Sequence, residues 1–249
     1  MPVLIVVPAR VGSTRLPRKP LQPLAGVPLI ARVYQRALQV PGSPRVVVAT
    51  DSEEIVELLT LSGAEVVMTS PHHPSGTDRV AEVARMPAYR GHEVIVNLQG
   101  DEPFLPLAAV TGAIAMVAGG DQIGTAAAPL DPELRDDPAH VKVVSDSAGR
   151  ALYFSRAAIP AVREPDEMAA ALWWRHIGVY AYRAEVLQQV AALPPSPLEQ
   201  LERLEQLRAL QAGFTIGVSY LDHPAWPGID TPEELAIANV RWPDFAEAC

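Results

Sequence analysis

Short runs of Val and Ile alternate with helical patterns along the first hundred residues, and this alternation leaves few folds open. Val3–Val7, Arg45–Ala49, Glu65–Met68 and Glu93–Asn97 have strand length and are too uniformly apolar for strands with one wet face. Between them, Pro28–Val40, Ser52–Leu61 and Thr77–Met86 carry helical spacing. A β-α-β-α-β-α-β order requires right-handed crossovers and a mostly parallel sheet flanked by helices. Farther on, Pro106–Ala118 reads as another helix, and Gln122–Ala128, Val141–Ser145 and Arg150–Ser155 as less regular strands that allow antiparallel pairing. Ala161–Trp174 reads as a loop or a short helix. Ala184–Ala192 and Leu198–Ala212 read as helices, Phe214–Tyr220 as a strand and Pro232–Val240 as the last helix. No repeat, low-complexity tract or long linker marks a boundary. The expectation is one α/β domain over residues 1–249 with a central excursion.

Composition narrows the function. With 49% hydrophobic and 20% charged residues the chain is an ordinary globular one, which excludes disorder and fibrous repeats. A net charge of -9 argues against a general nucleic-acid binder. The single cysteine, Cys249, excludes an internal disulfide framework and cysteine-based zinc sites. The start lacks the basic region of a secretory signal, and the uncharged stretch from Pro103 to Gly120 is interrupted and short of a ~20-residue span. A cytoplasmic protein without membrane contact is therefore expected. Charge is also distributed unevenly. Residues 1–50 hold Arg10, Arg15, Arg18, Lys19, Arg32, Arg36 and Arg45 and no acid, while the remaining 199 residues are net -16. A local group of cations on an acidic protein points to a small anionic ligand. Only two lysines, Lys19 and Lys142, stand beside eighteen arginines, a bias that genome composition can produce.

In open parallel sheets the ligand crevice lies beyond the carboxyl ends of the strands, which directs weight to Pro8–Pro20, Thr50–Asp51, Thr69–Thr77 and Gln99–Pro103. The first of these packs four cations, a glycine and two hydroxyls into thirteen residues stiffened by three prolines. It is either a solvated basic turn or a phosphate cradle, and its place after a strand favours the cradle. Neither a P-loop nor a G-x-G-x-x-G pattern occurs. Asp101 and Glu102, after Gly100, suit a divalent cation shared with phosphate oxygens, or else a polar turn; Asp101 is the better ligand. Thr231, Pro232 and Glu234 make a capping box, which leaves Asp230 outside that account and free to be a second carboxylate. Ser75-Gly76-Thr77-Asp78-Arg79 opens a helix, as a plain cap or as a base or phosphate contact. Within Leu198–Ala212, helical spacing puts Glu199, Glu202 and Gln206 on the polar side and directs Glu205 and Arg208 into the leucine arc. There Glu205 requires either an ion pair with Arg208 or a hydroxyl-rich ligand. His176 and Tyr180 face one side if their segment is a strand, and Arg156 is either a carboxylate clamp or a surface residue.

Together these segments resemble the CMP-KDO synthetases (3-deoxy-manno-octulosonate cytidylyltransferases). The resemblance runs nearly end to end, through PARVGSTRLPRKPL at 8–21, SGTDRVAEV at 75–83, VNLQGDEPF at 96–104, ALYFSRAAIP at 151–160, RHIGVYAYR at 175–183 and GIDTPEEL at 228–235. It implies a Rossmann-like nucleotidyltransferase fold with a small central excursion for sugar binding and dimerisation. It also implies transfer of CMP from CTP to an acidic eight-carbon sugar, with Mg²⁺ as cofactor and a homodimer as the working form. Carried over by position, Arg10, Ser13 and Lys19 look like triphosphate contacts, and Ser75, Arg79 and Gln99 like part of the cytidine pocket. Asp101 and Asp230 look like the Mg²⁺ carboxylates, and Arg156, His176, Tyr180, Glu205 and Gln206 like the sugar site. Arg18 stands where the family often has Gly. A cytidylyltransferase for another acidic sugar and a nucleotide-binding module without catalysis are the alternatives.

Overall fold

A computed structural model describes residues 1–162 and 173–248, so the stretch Ala161–Trp174 lies largely outside the described residues. The chain divides into two compact units, Pro2–Leu107 with Trp226–Cys249, and Ala108–Ala225 with Met1.

In the first unit, β1 (Val3–Ala9), β4 (Arg45–Thr50), β5 (Val66–Met68) and β6 (Val94–Leu98) form a parallel sheet in the order β6-β1-β4-β5. A hairpin of β2 (Pro23–Leu24) and β3 (Val27–Pro28) precedes α1 (Leu29–Leu38), and α2 (Glu53–Leu61) and α3 (Gly76–Arg85) connect the later strands. Leu4 to Val7, Val47 to Ala49, and Val94 and Val96 are fully enclosed, as their uninterrupted apolar runs require. Because β4 and β6 lie on opposite sides of β1, the strand order reverses beside β1. The loops after β1 and β6 therefore open onto one crevice. Gly100 is required there: a Cβ would lie 2.7 Å from the Pro8 carbonyl oxygen, so only glycine lets the β6 loop pass the end of β1.

The C-terminal helix, Pro232–Ala248, runs past its expected end at Val240. Trp242 and Phe245 continue its packing face onto Phe104, at ring-centroid distances of 5.9 and 4.9 Å, and Trp226 joins them at 5.1 Å. Arg32 and Arg241 stack on Trp242 and Trp226, and Asn239 Oδ1 accepts the Ala25 N–H at the hairpin. This aromatic packing carries the helix through Pro243, which lacks an N–H to donate.

The second unit is mixed. After α4 (Leu107–Ala118), β7 (Ile123–Pro129) pairs parallel with β11 (Ile216–Tyr220) and antiparallel with β10 (Trp174–Arg183). β8 (Lys142–Ser145) joins β10 and β9 (Ala151–Ser155), both antiparallel. α5 (Ala184–Ala191) follows β10. The expected helix Leu198–Ala212 is in fact two, α6 (Pro197–Glu202) and α7 (Gln206–Gln211). Between them Arg203 takes the left-handed conformation, with φ 56°, and this rotates everything downstream. The single leucine arc is thereby broken: Leu204 and Leu207 are buried, whereas Leu201 is 81% exposed.

Candidate active site

The crevice beside β1 gathers residues that lie far apart in sequence. Lys19 sits in a 3₁₀ turn at the end of the basic loop. Its Nζ donates to Asp101 Oδ2 at 2.5 Å and to Asp230 Oδ1 at 2.8 Å. Asp230 also receives Arg15 Nη2 at 2.9 Å on its other oxygen. Three local devices hold this arrangement. The Ile229 N–H donates to the Asp101 carbonyl at 2.9 Å and draws the late loop onto the β6 loop. The capping box forms as expected, with Thr231 Oγ1 accepting the Glu234 N–H, and Glu234 Oε2 accepts the N–H groups of both Asp230 and Thr231. Arg18, left-handed at φ 55°, forms an ion pair with Glu54 at the start of α2 and so anchors the basic loop from the side.

Electrostatics follow from this packing. Burial lowers the affinity of the Lys19 amine for its proton, but Asp101 and Asp230 outweigh it, and the net pKa is raised. Asp230 is pushed upward by burial and pulled further down by Lys19 and Arg15, so it stays anionic. A charged ammonium thus stands between two carboxylates.

The other residues expected to touch nucleotide divide into two groups. Ser75 caps α3, accepting the Asp78 N–H at 3.3 Å and donating to Asp78 Oδ2 at 2.6 Å. A Cβ on neighbouring Gly76 would lie 3.4 Å from the Pro8 ring and 3.9 Å from Gln99 Oε1, so this turn and Gln99 share the crevice. Gln99 Nε2 donates to Asn97 Oδ1. Ser13 is half-buried and accepts the Leu16 N–H within its own loop, while Arg10 is exposed at the end of β1. Arg79 is buried, and its guanidinium donates to Thr69 Oγ1 at 2.5 Å and Asp51 Oδ2 at 2.8 Å. In this structure Arg79 ties together the ends of β4 and β5.

The residues expected to hold sugar lie in the second unit. Tyr180 and His176 share one face of β10 with ring centroids 5.3 Å apart, because the bulge between Ile177 and Tyr180 inserts two residues and preserves the alternation. Thr125 Oγ1 donates to the Val179 carbonyl at 2.8 Å, so its contact with His176 Nε2 at 3.0 Å is received from the imidazole N–H. Nδ1 is left as the acceptor. Phe154 meets the same ring edge-on at 5.1 Å. Burial, aided by Arg175, pushes His176 down to about 3, so the ring is neutral at ordinary pH. Burial also drives Tyr180 well upward, with Tyr182 and Glu205 adding to it, so it stays a phenol. Tyr180 is only 8% exposed, yet its Oη has no hydrogen-bond partner among the described residues, and neither has the buried Nε2 of Gln206. Buried polar atoms left unpaired in this way are costly unless a ligand completes them.

Two expectations need correction. Glu205 is exposed instead of directed into a leucine arc, because the break at Arg203 ends the helix that would have turned it inward. Arg208 closes a bidentate pair on Glu199, at 2.8 and 2.5 Å, and Glu199 is buried instead of lying on a polar face. Arg156 donates through Nε to the Glu202 carbonyl at 2.7 Å and through Nη1 to the Pro138 carbonyl at 2.8 Å. Arg15, Glu202 and Thr125 also hold these residues in place, and the sequence reading assigns none of them an individual role. Only Arg15 carried a signal, its place in the basic loop.

Cations and carboxylates gathered at the switch point of an α/β sheet are the arrangement of a nucleotide-transferring enzyme. The chain belongs to the cytidylyltransferase family, whose model matches residues 4–216. It is 51% identical over 245 residues to a 3-deoxy-manno-octulosonate cytidylyltransferase of Gemmatimonas aurantiaca, covering 97% of this chain and 95% of that protein. It is 48% identical to the enzyme of the same name from Xanthomonas campestris pv. campestris strain 8004, covering 96% and 98%. Its fold is similar to a solved CMP:2-keto-3-deoxy-manno-octonic acid synthetase complexed with CTP, with a TM-score of 0.90 and 38% identity over 98% of this chain and 99% of that one.

Proposed function

We propose that the protein transfers CMP from CTP to 3-deoxy-D-manno-octulosonate (KDO), forming CMP-KDO for lipopolysaccharide synthesis and releasing pyrophosphate. The observation that carries this reading is the convergence of Lys19 on Asp101 and Asp230 at the strand ends. In such a transfer the acceptor hydroxyl bonds to the α-phosphorus as pyrophosphate departs, and the protein's task is to position the reactants and neutralise charge. Lys19, held protonated by its two partners, offsets the charge that builds on the leaving pyrophosphate. Arg10 and Ser13 extend the same cradle, and Arg15, paired with Asp230, adds a further cation. Ser75 and Gln99 line the nucleoside part, with Arg79 and Asp51 fixing the loop ends around it.

On the acceptor side, Arg156 takes the sugar carboxylate, while Gln206 Nε2 and Tyr180 Oη find in sugar hydroxyls the partners they lack among the described residues. The neutral His176 accepts through Nδ1, and Glu205 accepts from hydroxyls at the rim.

Mg²⁺ is the expected cofactor. Asp101 and Asp230 offer hard carboxylate oxygens, engaged here by Lys19 and Arg15, and each carboxylate has further lone pairs to share with an ion. Two carboxylates, with the rest of the shell left to water and phosphate, is how proteins hold Mg²⁺, so these residues fit the ion. Bound there, it supplies charge neutralisation at phosphate and a lowered pKa for the attacking hydroxyl.

No helix among the described residues is long and apolar enough to cross a membrane, in keeping with a cytoplasmic enzyme. We read it as a homodimer, with Leu152 and Leu201, 60% and 81% exposed, as surface for a second copy to cover; light scattering that returns a monomer mass refutes this part. The central test is pyrophosphate release from CTP and Mg²⁺ with a panel of sugar acids. The highest kcat/KM is expected with KDO. A preference for another acid sugar transfers the assignment to that acceptor, and no release with any of them rejects catalysis.

A further inference from the structure

Lys142 is the second of only two lysines in a chain with eighteen arginines, and nothing in the transfer mechanism uses it. It opens β8 and is wholly buried. Its ammonium donates to the carbonyls of Asp137 at 3.0 Å, His140 at 2.6 Å and Arg156 at 2.5 Å. Three N–H groups are all that an ammonium has, so each is matched. A planar guanidinium cannot direct its donors at three acceptors grouped around one atom. The other lysine, Lys19, is likewise enclosed by converging oxygens, those of Asp101 and Asp230. At Lys142, then, a compact ammonium fits and a guanidinium does not.

The three carbonyls are not scattered core groups. Asp137 and His140 bracket Pro138, whose carbonyl receives Arg156 Nη1, and the third carbonyl belongs to Arg156 itself. Lys142 therefore gathers both the backbone that bears Arg156 and the turn that aims its guanidinium. A second brace comes from Glu202. Its carboxylate accepts the Arg156 N–H at 3.0 Å and the Ser155 hydroxyl at 2.7 Å, and its carbonyl accepts Arg156 Nε. Glu202 ends α6, just before the break that presents Glu205 and Gln206.

We propose that Lys142 is a positioning residue for acceptor recognition: its three-carbonyl cage fixes Arg156 in the orientation that receives the sugar carboxylate. The proposal rests on the assignment of Arg156 to that carboxylate. Steady-state kinetics with CTP and KDO varied separately, on K142M, K142R, R156M and the K142M/R156M pair, test the two together. R156M is expected to raise the KM for KDO about tenfold or more through loss of a charge-assisted contact. K142M is expected to raise the same KM about tenfold while the KM for CTP changes less than about twofold. K142R, which keeps the charge and loses the three-point fit, does not rescue it. Because Lys142 acts through Arg156, the double variant is no worse than R156M alone. An R156M enzyme with an unchanged KM for KDO refutes the assignment of Arg156. A normal KM for KDO in K142M, full rescue by K142R, or additive losses in the double variant refute the role of Lys142 while leaving Arg156 in place. If K142M does not accumulate, K142Q, which retains two N–H donors, replaces it. Failure of both to fold makes Lys142 a core residue only and overturns the proposal.

Discussion

Replacing Arg208 by Met tests how the acceptor side is held together. Arg208 and Glu199 are each 11% exposed at their side chains and joined by two N–H to carboxylate bonds across the α6–α7 break. In R208M the Glu199 carboxylate stays inside with only the Ser196 N–H, at 3.0 Å, to satisfy it. Breaking one side of a buried pair costs about 3–5 kcal/mol, and the surviving Ser196 bond places this case near about 3 kcal/mol. For a chain of this size each kcal/mol moves Tm by about 2–4 °C, so a fall of about 6–12 °C is expected by differential scanning calorimetry at pH 7.5. The double variant E199M/R208M removes both charges and should recover most of that loss. pH supplies a second check. Hydrogen bonding from Arg208 is the chief cause that holds Glu199 below the usual carboxylate range, against burial, which raises it. The unfolded chain thus binds this proton more readily. The stabilisation is complete above the ordinary Glu value of about 4.3 and is lost as pH falls through the lower folded-state value. The gap between wild type and R208M should hold from pH 8 to 6 and close in strong acid. An R208M enzyme melting within about 2 °C of wild type, or a double variant no better than the single one, refutes the reasoning.

Further outcomes are expected at the site. Asp101→Asn should lower kcat by about a hundredfold or more without changing Tm by more than a few degrees, and K19R should fail to substitute for Lys19; near-normal turnover in either removes that residue from the chemistry. Tyr180→Phe deletes an unpaired buried hydroxyl, so the apo protein should be as stable or more so, by up to about 1 kcal/mol, while the KM for KDO rises severalfold; a destabilised variant with unchanged KM reverses the assignment. His176, neutral down to about pH 3, should show no imidazole titration by NMR between pH 5 and 8. Because its folded-state value lies below the ordinary one, its contribution to stability is present at neutral pH and declines from about pH 6.5 downward, so H176N should flatten that part of the acid-unfolding curve.

The cluster at the strand ends is legible in the sequence because parallel-sheet topology brings those loops together. Once four apolar runs are read as strands, the loops after β1 and β6 meet at the switch point, and Lys19 and Asp101 meet there despite a separation of 82 positions. The sequence resemblance to the family and the α/β class both hold. The second unit is less legible. Helical spacing over Leu198–Ala212 is regular, and nothing about Arg203 announces a left-handed residue, so the spacing gives Glu199 and Leu201 each other's environments and turns Glu205 inward. Tyr180 and His176 were placed correctly on one side only because the β10 bulge inserts an even number of residues. The role of Lys142 depends on three backbone oxygens, and no side-chain pattern encodes where those will be.

The aromatic packing of Trp226, Trp242 and Phe245 on Phe104 fixes a timetable. Asp101 is synthesised early, but Asp230, the other carboxylate on Lys19, arrives after the second unit has been made, and it is secured by a helix made later still. A nascent chain can own the finished parallel sheet of β6, β1, β4 and β5 and still leave Lys19 with one of its two carboxylates. The charge balance around Lys19 is in this way completed only once the segment beyond the second unit has been made.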